Sequence, residues 1–298
     1  MMNQKIIPHL WFEQEAIEAA KFYTAIFPES QIHGAIDDTS GNIISFDICG
    51  HRFIALNGRR NFTFNPAISF FIHFNLSKDE NIRKKIEEVW EKLSDDGKVL
   101  MPFDQYPFSE KYGWIQDKYG LSWQLMLSNL DEDKLIKVVP SFMFTNEIYG
   151  KAEEAIHFYL SVFQHSNLGN IARYPDGMEP DEEGKIMYAD FTIENQTFVM
   201  MESARAHEFH FNEAISFLIY GESQDEINRL WEKLSSSPGD EQSGWLKDRY
   251  GVSWQIIPRQ MEEMMAQGTK EQIHRVINEV RRMKKINIDD LWKAFNGE

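Results

Sequence analysis

The chain has 298 residues, a hydrophobic fraction of 42%, a charged fraction of 26% and a formal net charge of −16. This composition is typical of a folded globular protein, and the length suffices for two domains of ordinary size. The acidic balance argues against binding to nucleic acid or to an anionic membrane, because both require an excess of Lys and Arg.

Three further features of the sequence indicate the cellular compartment of the protein. The single cysteine, Cys49, cannot form an internal disulfide, so no oxidising compartment is required. Residues 1–12 lack the basic segment, apolar run and cleavage site of a signal peptide. No apolar stretch approaches the roughly 18 residues that cross a bilayer. We therefore expect a cytoplasmic protein without a membrane partner.

Short apolar segments and one amphipathic helix follow one another in the first half, and the same order then restarts. The first copy has a strand, a helix and three strands, at residues 5–12, 13–27, 31–36, 42–48 and 51–56. The second copy has the same elements at residues 67–74, 77–93, 98–103, 112–116 and 121–127. The first half is therefore predicted to hold two β-α-β-β-β units.

The second half of the chain repeats sequence motifs of the first half. A block with two tryptophans at residues 113–125 (GWIQDKYGLSWQL) returns at residues 244–256 (GWLKDRYGVSWQI). Repeats that keep their order along a chain indicate duplicated domains. We predict a first domain at residues 1–128, a linker at 129–137, a second domain at 138–258 and a helical tail at 259–298.

The two copies differ in two places. The second domain gains an acidic loop at residues 175–184 and loses most of the segment that spans residues 98–112 in the first domain. A hairpin of that size is expected to cover part of the surface of the first domain. The two domains are therefore predicted to have sites that are not equivalent.

The tail is amphipathic, with a basic polar side. It could bind a partner or a membrane surface, but we favour a helix packed on the acidic body of the protein or of a dimer mate.

Several segments resemble a known superfamily. Residues 7–12 (IPHLWF), 18–23 (EAAKFY), 106–110 (YPFSE) and 211–215 (FNEAI) are similar in wording to the PhnB-like branch of the vicinal-oxygen-chelate superfamily, which includes glyoxalase I, extradiol dioxygenases and bleomycin-resistance proteins. The resemblance implies an α+β fold with two tandem domains. In each, paired β-α-β-β-β modules form half-open barrels, and a helical tail follows.

Members of this branch have carried the description 3-demethylubiquinone-9 3-methyltransferase. The sequence does not support that activity, because it lacks the Gly-rich strand-to-helix turn that usually holds a nucleoside cofactor.

The resemblance also implies where a metal would bind, on the first and last strands of each module. The matching positions carry Pro8 or His9 and Pro140 or Ser141 on first strands, and residues 55–57 and 200–202 on the strands that close those modules. In the other modules they carry Ser69, Ser216, Gln124 and Gln255. Hydroxyl and amide groups are poor ligands for a transition metal. We therefore predict no cofactor and disfavour a divalent metal.

What remains is a pocket of amides, hydroxyls and aromatic rings, suited to a small and partly apolar molecule. Alternation places Ser69, Phe71 and His73 on one face of their strand and Ser122 and Gln124 on one face of theirs, and to these we add Trp11, Asn57 and Trp114. The full set of predicted pocket residues is His9, Trp11, Asn57, Ser69, Trp114, Gln124, Glu202, Ser216, Trp245 and Gln255. The alternative is that the tryptophans are barrel core, and Asp117 and Asp248 are interpreted as structural turn residues.

Three functions are consistent with the sequence. The first is a metal-independent protein that binds a small molecule and is built as an intramolecular pseudo-dimer. The second is a metal-dependent lyase, isomerase or dioxygenase with a site rearranged around His9 and Glu202. The third is a structural module that contacts a partner through its tail. The sequence leaves open whether the protein is an enzyme, which ligand it binds and whether it forms a homodimer.

Overall fold

A computed structural model describes residues 4–38, 41–58, 62–129, 135–239 and 241–298, with the backbone alone at residues 35–38, 41 and 42. Most of the predicted linker, residues 130–134, lies outside the described residues. The strands are β1 (Ile6–Phe12), β2 (Gln31–Asp38), β3 (Gly41–Ile48), β4 (His51–Asn57), β5 (Ile68–Asn75), β6 (Lys98–Tyr106), β7 (Ser109–Gln116), β8 (Ser122–Ser128), β9 (Ile136–Phe144), β10 (Asn167–Arg173), β11 (Ile186–Ile193), β12 (Gln196–Glu202), β13 (Ile215–Gly221), β14 (Trp245–Lys247) and β15 (Ser253–Pro258). The helices are α1 (Ala16–Ile26), α2 (Ile82–Ser94), α3 (Ala152–Val162), α4 (Gln224–Leu234), α5 (Arg259–Gln267), α6 (Lys270–Val280) and α7 (Ile288–Asn296).

The strands form two sheets, and the α+β class predicted from the sequence is confirmed. The seven-stranded sheet has the order β14-β15-β13-β1-β4-β3-β2, and the eight-stranded sheet has the order β10-β11-β12-β9-β5-β8-β7-β6. The repeated strand-helix-strand order is present four times. Within the described residues, the fourth unit, from β13 to β15, has one strand fewer, since no strand there corresponds to β6.

Each sheet combines one unit from each half of the chain. The first unit pairs with the fourth through β1 and β13, where His9 lies opposite Ser216. The second unit pairs with the third through β5 and β9, where Ser69 lies opposite Ser141. The sequence led us to expect both units of one half in the same barrel. Four units with one hydrophobic pattern are interchangeable as partners, so periodicity alone does not determine this pairing.

The two sheets pack face to face around one aromatic core. Phe53 of β4 meets Phe70 of β5 with ring centroids 5.0 Å apart, and Phe142 of β9 meets Phe217 of β13 at 5.3 Å. The buried side of α1, which includes Tyr23, belongs to the same core. Because these inner faces pack against each other, the outer faces of the two sheets look away from each other.

Two buried aspartates hold the units of each half together. Asp117, in the turn between β7 and β8, accepts hydrogen bonds from the Tyr23 hydroxyl at 2.7 Å and from Trp123 Nε1 at 2.8 Å. It also accepts from two backbone N–H groups of its own turn. Asp248 repeats the arrangement with Tyr159 and Trp254. Burial raises the pKa of both carboxyl groups, although the hydrogen bonds oppose that rise. These contacts support a structural role.

The tail forms three helices that pack on the second half of the same chain. Val276, Ile286 and Leu291 are buried in a small core that also includes Ile257 of β15. The backbone N–H groups of Ser243 and Gly244 donate to the carbonyl oxygens of Met283 and Lys284, both at 2.7 Å. The tail thereby covers the edge beside β14. Within the described ranges, no helix is long and apolar enough to span a membrane.

Candidate functional site

Polar and aromatic side chains converge on the outer face of the seven-stranded sheet. Alternation along β1 places Leu10 and Phe12 in the core and directs His9 and Trp11 to the outer face. The neighbouring strands add further outer-face residues by the same rule. We call this cluster the His9 site, and it consists of His9, Trp11, Ser216, Trp245, Ser253 and Gln255.

His9 is a buried imidazole with spare hydrogen-bonding capacity. The residue is 5% exposed, and its Nδ1 atom is buried without a hydrogen-bond partner among the described residues. Burial lowers the pKa of His9 to about 4. The ring is therefore neutral at neutral pH, so it offers one donor nitrogen and one acceptor nitrogen.

Gln255 and Ser253 add polar groups next to His9. The Gln255 side chain donates from Nε2 to Ser216 Oγ at 2.9 Å. Its Oε1 atom accepts no hydrogen bond from the part of the chain that the structure describes. The Ser253 hydroxyl is buried and also lacks a partner there. Buried polar groups are usually hydrogen-bonded, so such a concentration on one face needs a physical explanation.

Trp11 and Trp245 form an aromatic wall beside these groups. Their ring centroids are 5.6 Å apart with an interplanar angle of 53°, and both side chains are partly exposed. Trp245 also meets the His9 ring edge-on at 5.8 Å. A Cβ atom on Gly58 would lie 2.8 Å from Trp11 Nε1, so glycine at this position leaves room for the indole.

The eight-stranded sheet carries the twin of this cluster on its outer face. We call it the Ser141 site, and it consists of Ser69, Tyr112, Trp114, Ser122, Gln124 and Ser141. Here most of the polar groups bond to one another, and Ser141 Oγ is the member of the cluster that is buried without a partner among the described residues. The Tyr112 hydroxyl donates to Gln124 Oε1 at 2.6 Å, and Gln124 Nε2 donates to Ser69 Oγ at 2.8 Å. Trp114 Nε1 donates to Ser122 Oγ at 2.7 Å.

The β6–β7 hairpin closes the Ser141 site. Its residues Met101, Tyr106 and Tyr112 pack with Phe71 and Val139 in a separate apolar cluster on this face. The second half lacks that hairpin, and Ser243 stands where Tyr112 stands in the first half. The predicted difference between the two sites therefore has a structural cause.

Two predicted pocket residues lie elsewhere, which corrects our grouping. Asn57 and Glu202 end β4 and β12 on the inner faces, where they bind the starts of helices. Asn57 Oδ1 accepts from Ala16 N at 2.8 Å. The Glu202 carboxylate accepts from Gly150 N at 2.6 Å and from Ala152 N at 3.4 Å, at the start of α3, and also from Ile186 N at 2.7 Å, at the start of strand β11. The first N–H groups of a helix lack partners within the helix, so an acceptor at that position stabilises its start.

The remaining eight predicted residues divide between the sheets. His9, Trp11, Ser216, Trp245 and Gln255 come together in the His9 site, whereas Ser69, Trp114 and Gln124 come together in the Ser141 site. Our grouping of Trp11 with Ser69 was wrong, because exchange of the units places them on different sheets.

Ser253 and Tyr112 were missed by the sequence argument. A signal for Ser253 was available, since the SWQ tail of the repeated block puts serine two positions before glutamine in both copies. Alternation then places the two side chains on one face.

The His9 site does not fit a transition metal. Its outer-face donors are one imidazole, two hydroxyls and an amide, and β4 contributes Ile54 and Leu56 to this face. Among the described residues, no group of three or more His, Cys, Asp or Glu side chains could hold a metal ion. The rearranged site that would use His9 with Glu202 is not assembled, because the two residues lie on different sheets.

A separate crevice lies between the loops before β5 and β13, against Phe64, Asn65, Phe211 and Asn212. It has room for about one water molecule. Asn65 donates to the His210 carbonyl at 3.0 Å and Asn212 to the Thr63 carbonyl at 2.9 Å. This crevice is a junction between the halves and has no space for a ligand.

Comparison with known proteins identifies relatives of each half and of the whole chain. A family model described as 3-demethylubiquinone-9 3-methyltransferase matches residues 4–126 and again residues 136–257. A PhnB protein from Bacillus cereus is 38% identical over 42% of this chain and 100% of its own length, with a TM-score of 0.38. A protein from Staphylococcus aureus is 31% identical over 43% of this chain and 98% of its own length, with a TM-score of 0.18.

A longer relative shows that the two-sheet fold occurs elsewhere. Glyoxalase I from Zea mays is 13% identical over 88% of this chain and 96% of its own length, with a TM-score of 0.54. At this identity the similarity concerns the fold alone. No protein with a curated function matched the chain.

Proposed function

Because the chain belongs to the family described as 3-demethylubiquinone-9 3-methyltransferase, the PhnB-like branch of the vicinal-oxygen-chelate superfamily, we propose that it binds a small molecule at the His9 site without a metal. The site is built by both halves, since β1 comes from the first and β13 to β15 come from the second. The proposal assigns one ligand site to each chain.

The observation that supports this site is the set of buried polar atoms without partners around an accessible aromatic wall. His9 Nδ1 and Ser253 Oγ are buried and unpartnered among the described residues, and they lie on the face that carries Gln255. An unsatisfied buried polar group costs about 1–3 kcal/mol. A ligand that bonds to these groups would recover part of that cost, which favours its binding.

The twin site supports the assignment by contrast. At the Ser141 site the same Ser-Gln pair is present, but Tyr112 occupies the free acceptor of Gln124 and the hairpin side chains cover the face. Ser141 Oγ is also buried without a partner there, so the contrast rests on the bonded Gln124 and on the hairpin, which leave a ligand less to gain. We therefore propose that the Ser141 site is structural.

Methyl transfer, as named in the family description, is not part of the proposal. The chain lacks a Gly-rich strand-to-helix turn for a nucleoside cofactor. The His9 site also lacks a carboxylate to act with the imidazole as a second acid or base. Binding without turnover is the function that this geometry supports best.

A thermal-shift screen with two matched variants tests the proposal. Protein purified with a chelator is screened against a metabolite library, and hits are measured again with Gln255→Leu and Gln124→Leu. A ligand of the His9 site raises the melting temperature of the wild type and of Gln124→Leu, because a ligand that binds only the folded state stabilises it. The shift should disappear in Gln255→Leu.

Two outcomes would contradict the proposal. One is a set of hits that are lost in Gln124→Leu and kept in Gln255→Leu, which would place the site on the other sheet. The other is a set of hits that require added Zn²⁺, Ni²⁺, Mn²⁺ or Fe²⁺, which would show that binding depends on a metal.

A further inference from the structure

We infer that the ligand of the His9 site is an uncharged, planar aromatic molecule with a hydrogen-bond donor and an acceptor on one edge. This inference rests on the proposed function, because it names the chemical class that the same site would take. It follows from the shape of the aromatic wall, the roles of the unpartnered polar atoms and the pairing of the nearby charges.

The wall selects a flat ligand. Trp11 and Trp245 are partly exposed and tilted by 53° at a centroid distance of 5.6 Å, which is too close for a ring to lie between them. A planar ligand would instead stack on one indole and present an edge to the other. Such offset or edge-to-face contacts contribute about 0.5–1.5 kcal/mol beyond the burial of area.

The polar atoms select a ligand edge with both roles. Gln255 Oε1 can only accept, so it requires a donor on the ligand. The Ser253 hydroxyl and His9 Nδ1 are unpartnered and can each serve as donor or acceptor, depending on rotamer and tautomer. An adjacent donor and acceptor, as in a cyclic amide or a hydroxy-carbonyl edge, would satisfy Gln255 and one of these two groups together.

The surrounding charges argue against an ionic ligand. Lys247, on the same strand as Trp245, forms an ion pair with Glu213. Asp47 lies on the outer face of β3 and is 3.6 Å from Arg52 and 2.6 Å from His33. These charges are therefore already paired, and an ionic group beside His9 would lose hydration without gaining a counter-charge.

Two further observations agree with a neutral ligand. Burial disfavours the charged form of His9 itself, as the lowered pKa shows. The net charge of −16 also opposes the approach of anions. Cations could gain from the tryptophan faces, so a cationic probe belongs in the test.

Four bicyclic probes of similar size separate these properties. Quinolin-2(1H)-one is neutral with adjacent N–H and C=O groups, naphthalene has no polar edge, 2-naphthoate is an anion and N-methylquinolinium is a cation. Their affinities for the full chain are measured by tryptophan fluorescence and isothermal calorimetry. We expect quinolin-2(1H)-one to bind at least about tenfold more tightly than each of the others, since its donor and its acceptor can each form a hydrogen bond worth about 1 kcal/mol.

Variants assign the binding to the site. Gln255→Leu should weaken quinolin-2(1H)-one about tenfold and leave naphthalene unchanged, whereas Gln124→Leu should change neither. Tighter binding of the anion or the cation would overturn the inferred class, and so would the failure of all four probes. Neither result would contradict the proposal that the His9 site binds a ligand. That proposal is tested separately, by whether the hits from the metabolite library are lost in Gln255→Leu. Equal effects of Gln255→Leu on quinolin-2(1H)-one and naphthalene would also overturn the inference.

Discussion

The imidazole of His9 links the site to the pH dependence of stability. Its pKa is lowered by burial to about 4, whereas an exposed histidine in the unfolded chain titrates near 6.5. As the pH falls below 6.5, the unfolded chain binds a proton that the folded chain does not. This histidine should therefore reduce the free energy of unfolding by about 3 kcal/mol between pH 7 and pH 4.

Urea unfolding of the wild type and of His9→Gln at pH 7, 5.5 and 4 measures this contribution. The wild type should lose more stability than the variant on acidification, and the difference should be largest at pH 4. Comparison with the variant removes the effect of other titrating groups. Parallel pH profiles would contradict the assigned pKa.

The two buried glutamines should differ in their effect on stability. Gln124→Leu removes the partners of the Tyr112 hydroxyl and Ser69, which are both buried. We expect a loss of about 2–3 kcal/mol. Gln255→Leu removes a single bond, to Ser216, and should cost about 1 kcal/mol. Equal losses in denaturant unfolding would contradict the difference between the two sites.

Gly58 should control the position of the Trp11 indole. Alanine there would place a methyl group 2.8 Å from Trp11 Nε1, so the ring must move. We expect Gly58→Ala to change the near-ultraviolet circular dichroism and to weaken probe binding about tenfold. Gly34→Ala on β2 is the control, because its Cβ would meet nothing within 4 Å. Identical spectra for both variants would show that the wall does not depend on this glycine.

At the scale of elements, the Asp–Tyr–Trp contacts connect a helix of one sheet to a turn of the other. Asp117→Asn would turn an amide N–H₂ or a weaker acceptor toward the Tyr23 hydroxyl and Trp123 Nε1, which are both donors. We expect a loss of about 3 kcal/mol in the free energy of unfolding, because hydrogen bonds to charged groups are each worth about 1.5–3 kcal/mol.

Asp248→Asn in the second copy should cost a similar amount, whereas Asp176→Asn in an exposed loop should cost almost nothing. Guanidinium unfolding followed by tryptophan fluorescence compares the three variants. A neutral Asp117→Asn would show that the turn holds its shape without the carboxylate.

The existence and the order of the helices and strands could be predicted from the sequence, but some of their first and last residues could not. The predicted strands at residues 98–103 and 112–116 extend to 98–106 and 109–116, because a hairpin continues its ladder to the turn. The tail was predicted as amphipathic helix and contains three helices. The break before α6 had a readable signal, since Thr269 and Gln272 form a capping box after Gly268.

At the scale of the whole molecule, the exchange of units makes the halves inseparable. Each sheet contains a central strand pair contributed by both halves, at β1–β13 and β5–β9. Cleavage at a protease site inserted within residues 130–134 should therefore leave a complex with the elution volume of the intact chain. Unfolding should remain a single transition. Separation of the two fragments at native pH would contradict the exchanged pairing.

The sequence contained the polar residues of the site but not their grouping. His9, Ser216 and Gln255 were identified because they stand at the positions where the family resemblance implies metal ligands. Their assembly depends on pairing between residues more than 200 positions apart, which no local pattern encodes. The loss of the hairpin in the second half was the sequence signal from which we predicted that the two sites would differ.

Covalent linkage of the halves has a consequence for symmetry. In a homodimer of one repeated unit, every substitution appears at both sites, so the sites cannot specialise. In this chain the copies mutate separately, and the hairpin is kept at one site and lost at the other. The Ser141 site can thus serve the stability of the fold while the His9 site changes to recognise a ligand. We therefore expect saturation at one ligand molecule per chain.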